Sequence, residues 1–240
     1  MHFISILSTL VTFIFAIAVF ERYRRRKGTH LLLWGIGLVF YGLGTLCEAI
    51  TIFTFNEFAL KIWYLSGAML TAAWLGQGTV YLLVRKPGVA NILTVILTCV
   101  SLLAAFLVLT APINATAAAA YDLSAPLSAQ YKEILVRSGL ITFLTIILNI
   151  YGTITLVGGA IYSAYIFWRK RILLDRMIGN ILIAVGALMP AMAGTLIGAG
   201  LADFLYLSEF IGVVLMYAGF LKATSQRPVE AKKAVPISVG

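Results

Sequence analysis

The sequence predicts an all-α integral membrane protein, a seven-transmembrane-helix bundle with its N-terminus outside and its C-terminus cytoplasmic. Three observations lead there. Hydrophobic residues make up 61% of the 240 and charged residues only 11%, with a mean hydropathy of +1.00, too little charge to coat a soluble domain of this length. Several apolar stretches reach the ~20 residues needed to cross ~30 Å of hydrocarbon. The basic residues gather beside alternate ends of those stretches, as the positive-inside rule requires.

Taken in order, the expected spans are 2–20, 31–53, 60–84, 91–111, 139–168, 177–199 and 201–222. They form one transmembrane domain over 1–223, followed by a short basic cytoplasmic tail over 224–240. The first span is not read as a cleaved signal peptide, because its basic cluster follows the apolar run. The stretches "ERYRRRKGTH", "RKPG", "RKRILLDR" and "KATSQRPVEAKK" hold most of the basic charge and mark the cytoplasmic side. The opposite side carries "TFNEFALK", a long loop from Pro112 and a tight turn near Gly198, Gly200, Ala202 and Asp203.

The net charge of +9, from 18 Lys and Arg against 9 Asp and Glu, is accounted for by these flanks without nucleic acid, and no nucleic-acid-binding module is present. The loop from Pro112 contains the sequon Asn114-Ala115-Thr116, which matters only in a eukaryote. Residues 124–137 are expected either to form a short amphipathic helix on the membrane surface, through Leu127, Tyr131, Ile134 and Leu135, or to remain a solvated loop.

Two stretches look alike: "FERYRRRKGTHLLLWGIGLVFYGLGTL" from Phe20 and "FWRKRILLDRMIGNILIAVGALMPAMAGTL" from Phe167. Each is followed by a span carrying Tyr-Leu-Ser, at Tyr64–Ser66 and Tyr206–Ser208. A 3+1+3 parallel repeat, with the fourth span as connector, would place both copies in one orientation. The layout resembles that of SWEET-type sugar transporters; the chain departs from them in having no Pro-Gln pair and no proline in spans 1 or 5.

Carboxylates inside a bilayer are expensive and ask for a functional explanation. Glu48 is expected in the outer third of span 2 and Glu209 nearer the midplane in span 7, beside Asn149 in span 5. With Ser66, and with Trp63 and Tyr206 as aromatic walls, they make a candidate ligand-binding set in the outer half of the bundle. The alternative has Glu48 paired with Lys61, and Glu209 protonated and hydrogen-bonded to Asn149 or a tyrosine. Gln77, in "GQG", and "GTLIG" at 194–198 read as helix-packing motifs. Trp34, Trp63, Tyr23, Tyr81 and Trp168 read as interfacial anchors. Cys47 and Cys99 read as buried small hydrophobes.

No catalytic constellation appears, so an enzyme is not expected, and neither is a cofactor or a metal. His2 and His30 lie at span ends, which disfavours haem ligation within the bilayer. A retinal site would need a lysine in the middle of the last span, where only Lys222 stands, at its end.

The stretch from Leu31 to Leu83, with Glu48 near the outer end of span 2 and Trp63, Tyr64 and Trp74 in span 3, resembles the membrane input region of bacterial seven-helix sensor histidine kinases, without the kinase domain. That resemblance implies a sensing bundle in a bacterial inner membrane that signals through a partner protein. The expected function is therefore a receptor-like or sensory protein binding a small or lipid-like ligand. A small-solute or proton-coupled transporter is the first alternative, and a non-catalytic subunit of a larger membrane complex the second.

Overall fold

A computed structural model of the chain describes residues 3–84, 86–169, 174–198 and 204–224. The expected tight turn, over 199–203, and the tail beyond Thr224 lie outside the described residues, as do the side chains of the packing motif at 194–198. Among the described residues six helices are long and apolar enough to cross a membrane: α1 (Ile4–Arg26), α2 (Thr29–Thr51), α3 (Glu57–Leu83), α4 (Val89–Thr110), α7 (Gly139–Arg169) and α9, whose apolar part is Tyr206–Thr224. Two short helices, α5 (Ala115–Ala119) and α6 (Leu127–Ile134), lie between α4 and α7. A further long helix, α8 (Leu174–Gly198), precedes α9 and contains Pro190. The chain is thus a helical, multi-pass membrane protein.

Local chemistry sets the helix ends. The last turn of α1 holds Arg24, Arg25 and Arg26, which favour the negative end of the helix dipole. Lys27 closes it with φ 51° while its N–H bonds back to Tyr23 O at 2.7 Å, a left-handed cap. Asn56 starts α3 by accepting from the Ala59 N–H at 2.9 Å, and Ser138 starts α7 by accepting from the Ile141 N–H at 3.3 Å. Both are N-cap bonds to orphan donors.

The long helices close a ring. α1 packs on α2, α2 on α3, α3 on α7, α7 on α8, α8 on α9, and α9 returns to α1. Small residues let the backbones meet: a Cβ added at Gly44 of α2 would lie 2.9 Å from the Gly67 Cα of α3, and one at Gly186 of α8 would lie 2.6 Å from the Gly212 carbonyl of α9. Such close approach is how helices associate where lipid supplies no hydrophobic drive.

Helix α4 stands outside the ring, against α3 and α7. Its buried face is Ala90, Leu97, Ser101, Ala104 and Val108, tied to α3 by Trp74 Nε1 donating to Ser101 Oγ at 3.1 Å. Ile92, Val95, Leu102 and Phe106 face outward, which in a membrane is contact with lipid rather than an exposed patch. Cys47 is buried as expected, whereas Cys99 is exposed on α4.

The segment between α4 and α7 is not a solvated loop: the expected short amphipathic helix forms as α6, and its apolar face packs on the bundle. Leu127, Ile134 and Leu135 are each 1% exposed, buried against the bundle. The Asn114 N–H donates to Ile134 O at 2.8 Å and the Val136 N–H to Pro112 O at 3.1 Å, pinning the two ends of the segment together. Tyr131 packs on Trp63 and Tyr64 at 5.3 and 5.5 Å between ring centroids. The hydrophobic face of this helix found protein, and the segment caps one end of the ring.

Candidate functional site

Beneath that cap, between the helices of the ring, lies a half-open cavity of about 330 Å³. Its walls come from α2 through Tyr41, Thr45 and Glu48, from α3 through Trp63 to Leu75, from α7 through Asn149 and Thr153, from α8 through Ala187 and Pro190, and from α9 through Glu209 and Met216. Ser128, Tyr131 and Lys132 of α6 form the roof. Neither α1 nor α4 contributes to the lining.

Two π-helical segments sit beside the cavity, Tyr64–Leu70 in α3 and Ile154–Gly158 in α7. A π turn disturbs the regular ladder, so its carbonyls take side-chain donors. Thr71 Oγ1 donates to Ser66 O at 2.8 Å and Asn149 Nδ2 to Ala68 O at 2.7 Å. The same Nδ2 donates to Thr145 O at 2.8 Å. Asn149 therefore holds the distorted stretch of α3 against α7 and presents its Oδ1 as an acceptor, with no donor to it among the described residues.

The centre of the site is a pair of carboxyls. Glu48, in the last turn of α2 and 1% exposed, lies against Glu209 of α9, close enough for a carboxyl–carboxyl hydrogen bond. Such a bond needs a proton on one member, and two carboxylates side by side in a low-dielectric site do not both ionise. Apart from that shared contact, Glu48 Oε1 and Oε2 and Glu209 Oε2 have no hydrogen-bond partner among the described residues. Tyr41 touches the pair from one side, its OH donating to the backbone carbonyl of Glu209 at 3.0 Å.

Lys61 does not pair with Glu48, contrary to the local reading of the sequence. Its Nζ bonds to Glu57 Oε1 at 2.6 Å and to Leu109 O at 3.2 Å. Four residues along a helix puts Lys61 beside Glu57 on the same face, whereas the break at 52–56 separates it from Glu48. Nor is the Glu209 carboxyl bonded to Asn149, whose donors reach backbone carbonyls.

Of the six residues expected in the site, Glu48, Trp63, Asn149 and Glu209 line the cavity, and Ser66 and Tyr206 do not. Ser66 Oγ donates to Ile62 O at 2.6 Å, within its own helix. Tyr206 is buried at 2% exposure. Trp63, also expected as an interfacial anchor, is 9% exposed and faces the roof. Sequence reasoning passed over Tyr41, Thr45 and Tyr131 as lining. Tyr41 lies seven residues before Glu48 in α2, about two helical turns away on one face, and that spacing was the available signal.

Gln77 behaves as a packing residue. Its Nε2 donates to Ala90 O at 2.9 Å and Thr94 Oγ1 at 2.8 Å, and its Oε1 accepts from Tyr151 OH. One amide thus joins α3, α4 and α7. No group of three or more His, Cys, Asp or Glu residues able to hold a metal ion occurs among the described residues.

Compared with protein-family models, curated proteins and solved structures, the chain matches none.

Proposed function

We propose that the chain is a receptor-like or sensory seven-helix membrane protein, with α8 as a further span, that binds a small or lipid-like ligand in the central cavity and passes a helix shift to a partner. The observation that carries this reading is the half-open cavity of about 330 Å³ with buried carboxyl oxygens that no other group among the described residues satisfies. Buried polar atoms without partners are rare in folded proteins and ask for an explanation, and intramembrane carboxylates are functional by default. The ring supports transmission: the cavity touches α2, α3, α7, α8 and α9, so filling it pushes on most of the helices at once.

The orientation in this reading is N-terminus outside and C-terminus cytoplasmic, in a bacterial inner membrane. Support comes from charge: Arg24, Arg25, Arg26, Lys86, Arg169, Arg176 and Lys222 all belong to one set of helix ends, the side the positive-inside rule assigns to the cytoplasm. The capped end of the cavity then faces outward, where an external ligand arrives. Ligand screening by thermal shift in detergent tests the proposal. If every hit stabilised Glu209→Gln as well as the unaltered protein, the cavity would not be the site.

A second reading, a small-solute or proton-coupled transporter, is favoured by one specific observation. The order of the ring puts the three helices α1 to α3 opposite α7 to α9, with α1 against α9 and α3 against α7, as two parallel repeats about a two-fold axis would pack. Glu48 then belongs to one half and Glu209 to the other, and a proton between them would report on the distance between the halves. Uptake into proteoliposomes under an imposed pH gradient separates the readings, because a receptor moves no solute.

A further inference from the structure

Around Glu48, Glu209 and Asn149 the hydrogen-bonding capacity of the cavity wall is one-sided. Glu48 offers both carboxyl oxygens and Glu209 its Oε2, and Asn149 Oδ1 is a fourth acceptor, since both hydrogen bonds from its amide nitrogen go to carbonyls. The donors beside these oxygens are engaged, Tyr41 OH on Glu209 O, Thr71 Oγ1 on Ser66 O and the Asn149 amide as above, while the Trp63 indole N–H and the Tyr131 hydroxyl lie at the roof. The hydroxyls of Ser128 and Thr153 can act either way.

No cation of the described residues pairs with Glu48 or Glu209, and the one that lines the cavity, Lys132, sits at its roof. Lys61 is held by Glu57 and Leu109 O, Arg137 lies over the Tyr131 ring at 5.1 Å, and Lys132 is exposed at the rim. Trp63, Tyr131 and Tyr41 add aromatic surface to the same cavity, and ring faces attract cations. At the Glu48, Glu209 and Asn149 oxygens an anion or an acceptor-only ligand would meet acceptors and would have to lose its water for nothing in return. A bare metal ion would leave most of the volume empty.

We infer that the cavity takes a small organic ammonium compound, a primary or secondary amine with an apolar body, whose N–H groups bond Glu48 and Glu209 while the body lies against Trp63 and Tyr131. This names the ligand class for the binding reading above and rests on it. A protonated amine supplies two or three donors and one positive charge, which matches the single negative charge of two carboxyls that hold one proton between them.

The test uses the purified full chain in lipid nanodiscs with three probe series of two sizes each: propylamine and phenethylamine, the neutral 1-propanol and 2-phenylethanol, and the anionic propionate and phenylpropionate. The amines are expected to bind about tenfold to hundredfold more tightly than the matching alcohols, the range of a charge-assisted hydrogen bond, and the anions not at all. The preference should disappear in Glu48→Gln and in Glu209→Gln. The three series on the unaltered protein decide the matter even if a variant fails to fold. Alcohols or anions binding as well as the amines would overturn the ammonium assignment and leave the binding cavity standing. Binding of none of the six would overturn both.

Discussion

Glu48 of α2 and Glu209 of α9 present their carboxyl groups to each other across the wall of a single cavity, with Tyr41 bonded to the Glu209 backbone beside them. Helices α2 and α9 are not neighbours in the ring, since α1 stands between them. The pair therefore adds a polar link between two helices that otherwise share the Tyr41 bond and the apolar cluster around Leu38, Val213 and Met216, so a change in its charge or occupancy acts on both helices.

Replacing either carboxyl with its amide should leave the fold intact. Gln has the same shape, and its NH₂ donates to the remaining carboxylate without a shared proton. Glu48→Gln and Glu209→Gln are expected to unfold in detergent at the same temperature as the unaltered protein or higher, while Glu48→Leu, which leaves Glu209 alone in a buried site, is expected to be destabilised by about 1–3 kcal/mol. Thermal unfolding of the three variants side by side checks this.

The roof should open when its aromatic contacts are removed. Tyr131 meets both Trp63 and Tyr64, and each such ring pair contributes about 0.5–1.5 kcal/mol. Tyr131→Ala is expected to raise the population of opened cap by about tenfold or more. In a background carrying Ala68→Cys on the cavity wall, labelling by a membrane-impermeant thiol reagent should speed up accordingly. Equal labelling with and without Tyr131 would mean that the cap does not control access.

The α3–α7 crossing depends on the absence of a side chain at Gly152. A Cβ there would run into the Ala72 backbone, and one at Gly76 would run into Thr155 Oγ1. Gly152→Val is expected to cost at least about 1–3 kcal/mol, the usual penalty for overpacking, and to lower the yield of folded protein in detergent. A folded Gly152→Val variant with unchanged thermal stability would contradict the crossing.

Gln77 provides a smaller and separate test. Gln77→Leu keeps the volume but breaks contacts to Ala90, Thr94 and Tyr151. Hydrogen bonds between helices in membranes average about 0.6 kcal/mol, so a loss of about 1–2 kcal/mol is expected, read from the unfolding midpoint.

Hydropathy made the long helices legible to within a few residues: 31–53 was expected where α2 runs Thr29–Thr51, and 139–168 where α7 runs Gly139–Arg169. A membrane span is a local property, fixed by length and apolar content. The partner of Glu48 is not local. The nearest basic residue by sequence, Lys61, had a closer acid on its own helix face in Glu57, while the contact that forms comes from the last helix. The cap escaped the sequence for the same reason: the periodicity of Leu127, Tyr131, Ile134 and Leu135 marks an apolar face, and nothing in that pattern distinguishes lipid from Trp63 and Tyr64 as what covers it. The π segments, which give Asn149 its bond to Ala68 O, follow from helix crossing and leave no compositional trace.

The central claim is that a ligand cavity exists between α2, α3, α7 and α9, with Glu48 and Glu209 at its wall. A density map of the full chain in lipid nanodiscs, at a resolution that shows side chains, tests it most directly. The expected map shows a space under α6, the two carboxyls facing each other, and non-protein density in contact with them. Side chains filling that space, or the two carboxyls turned apart toward lipid or separate partners, would contradict it.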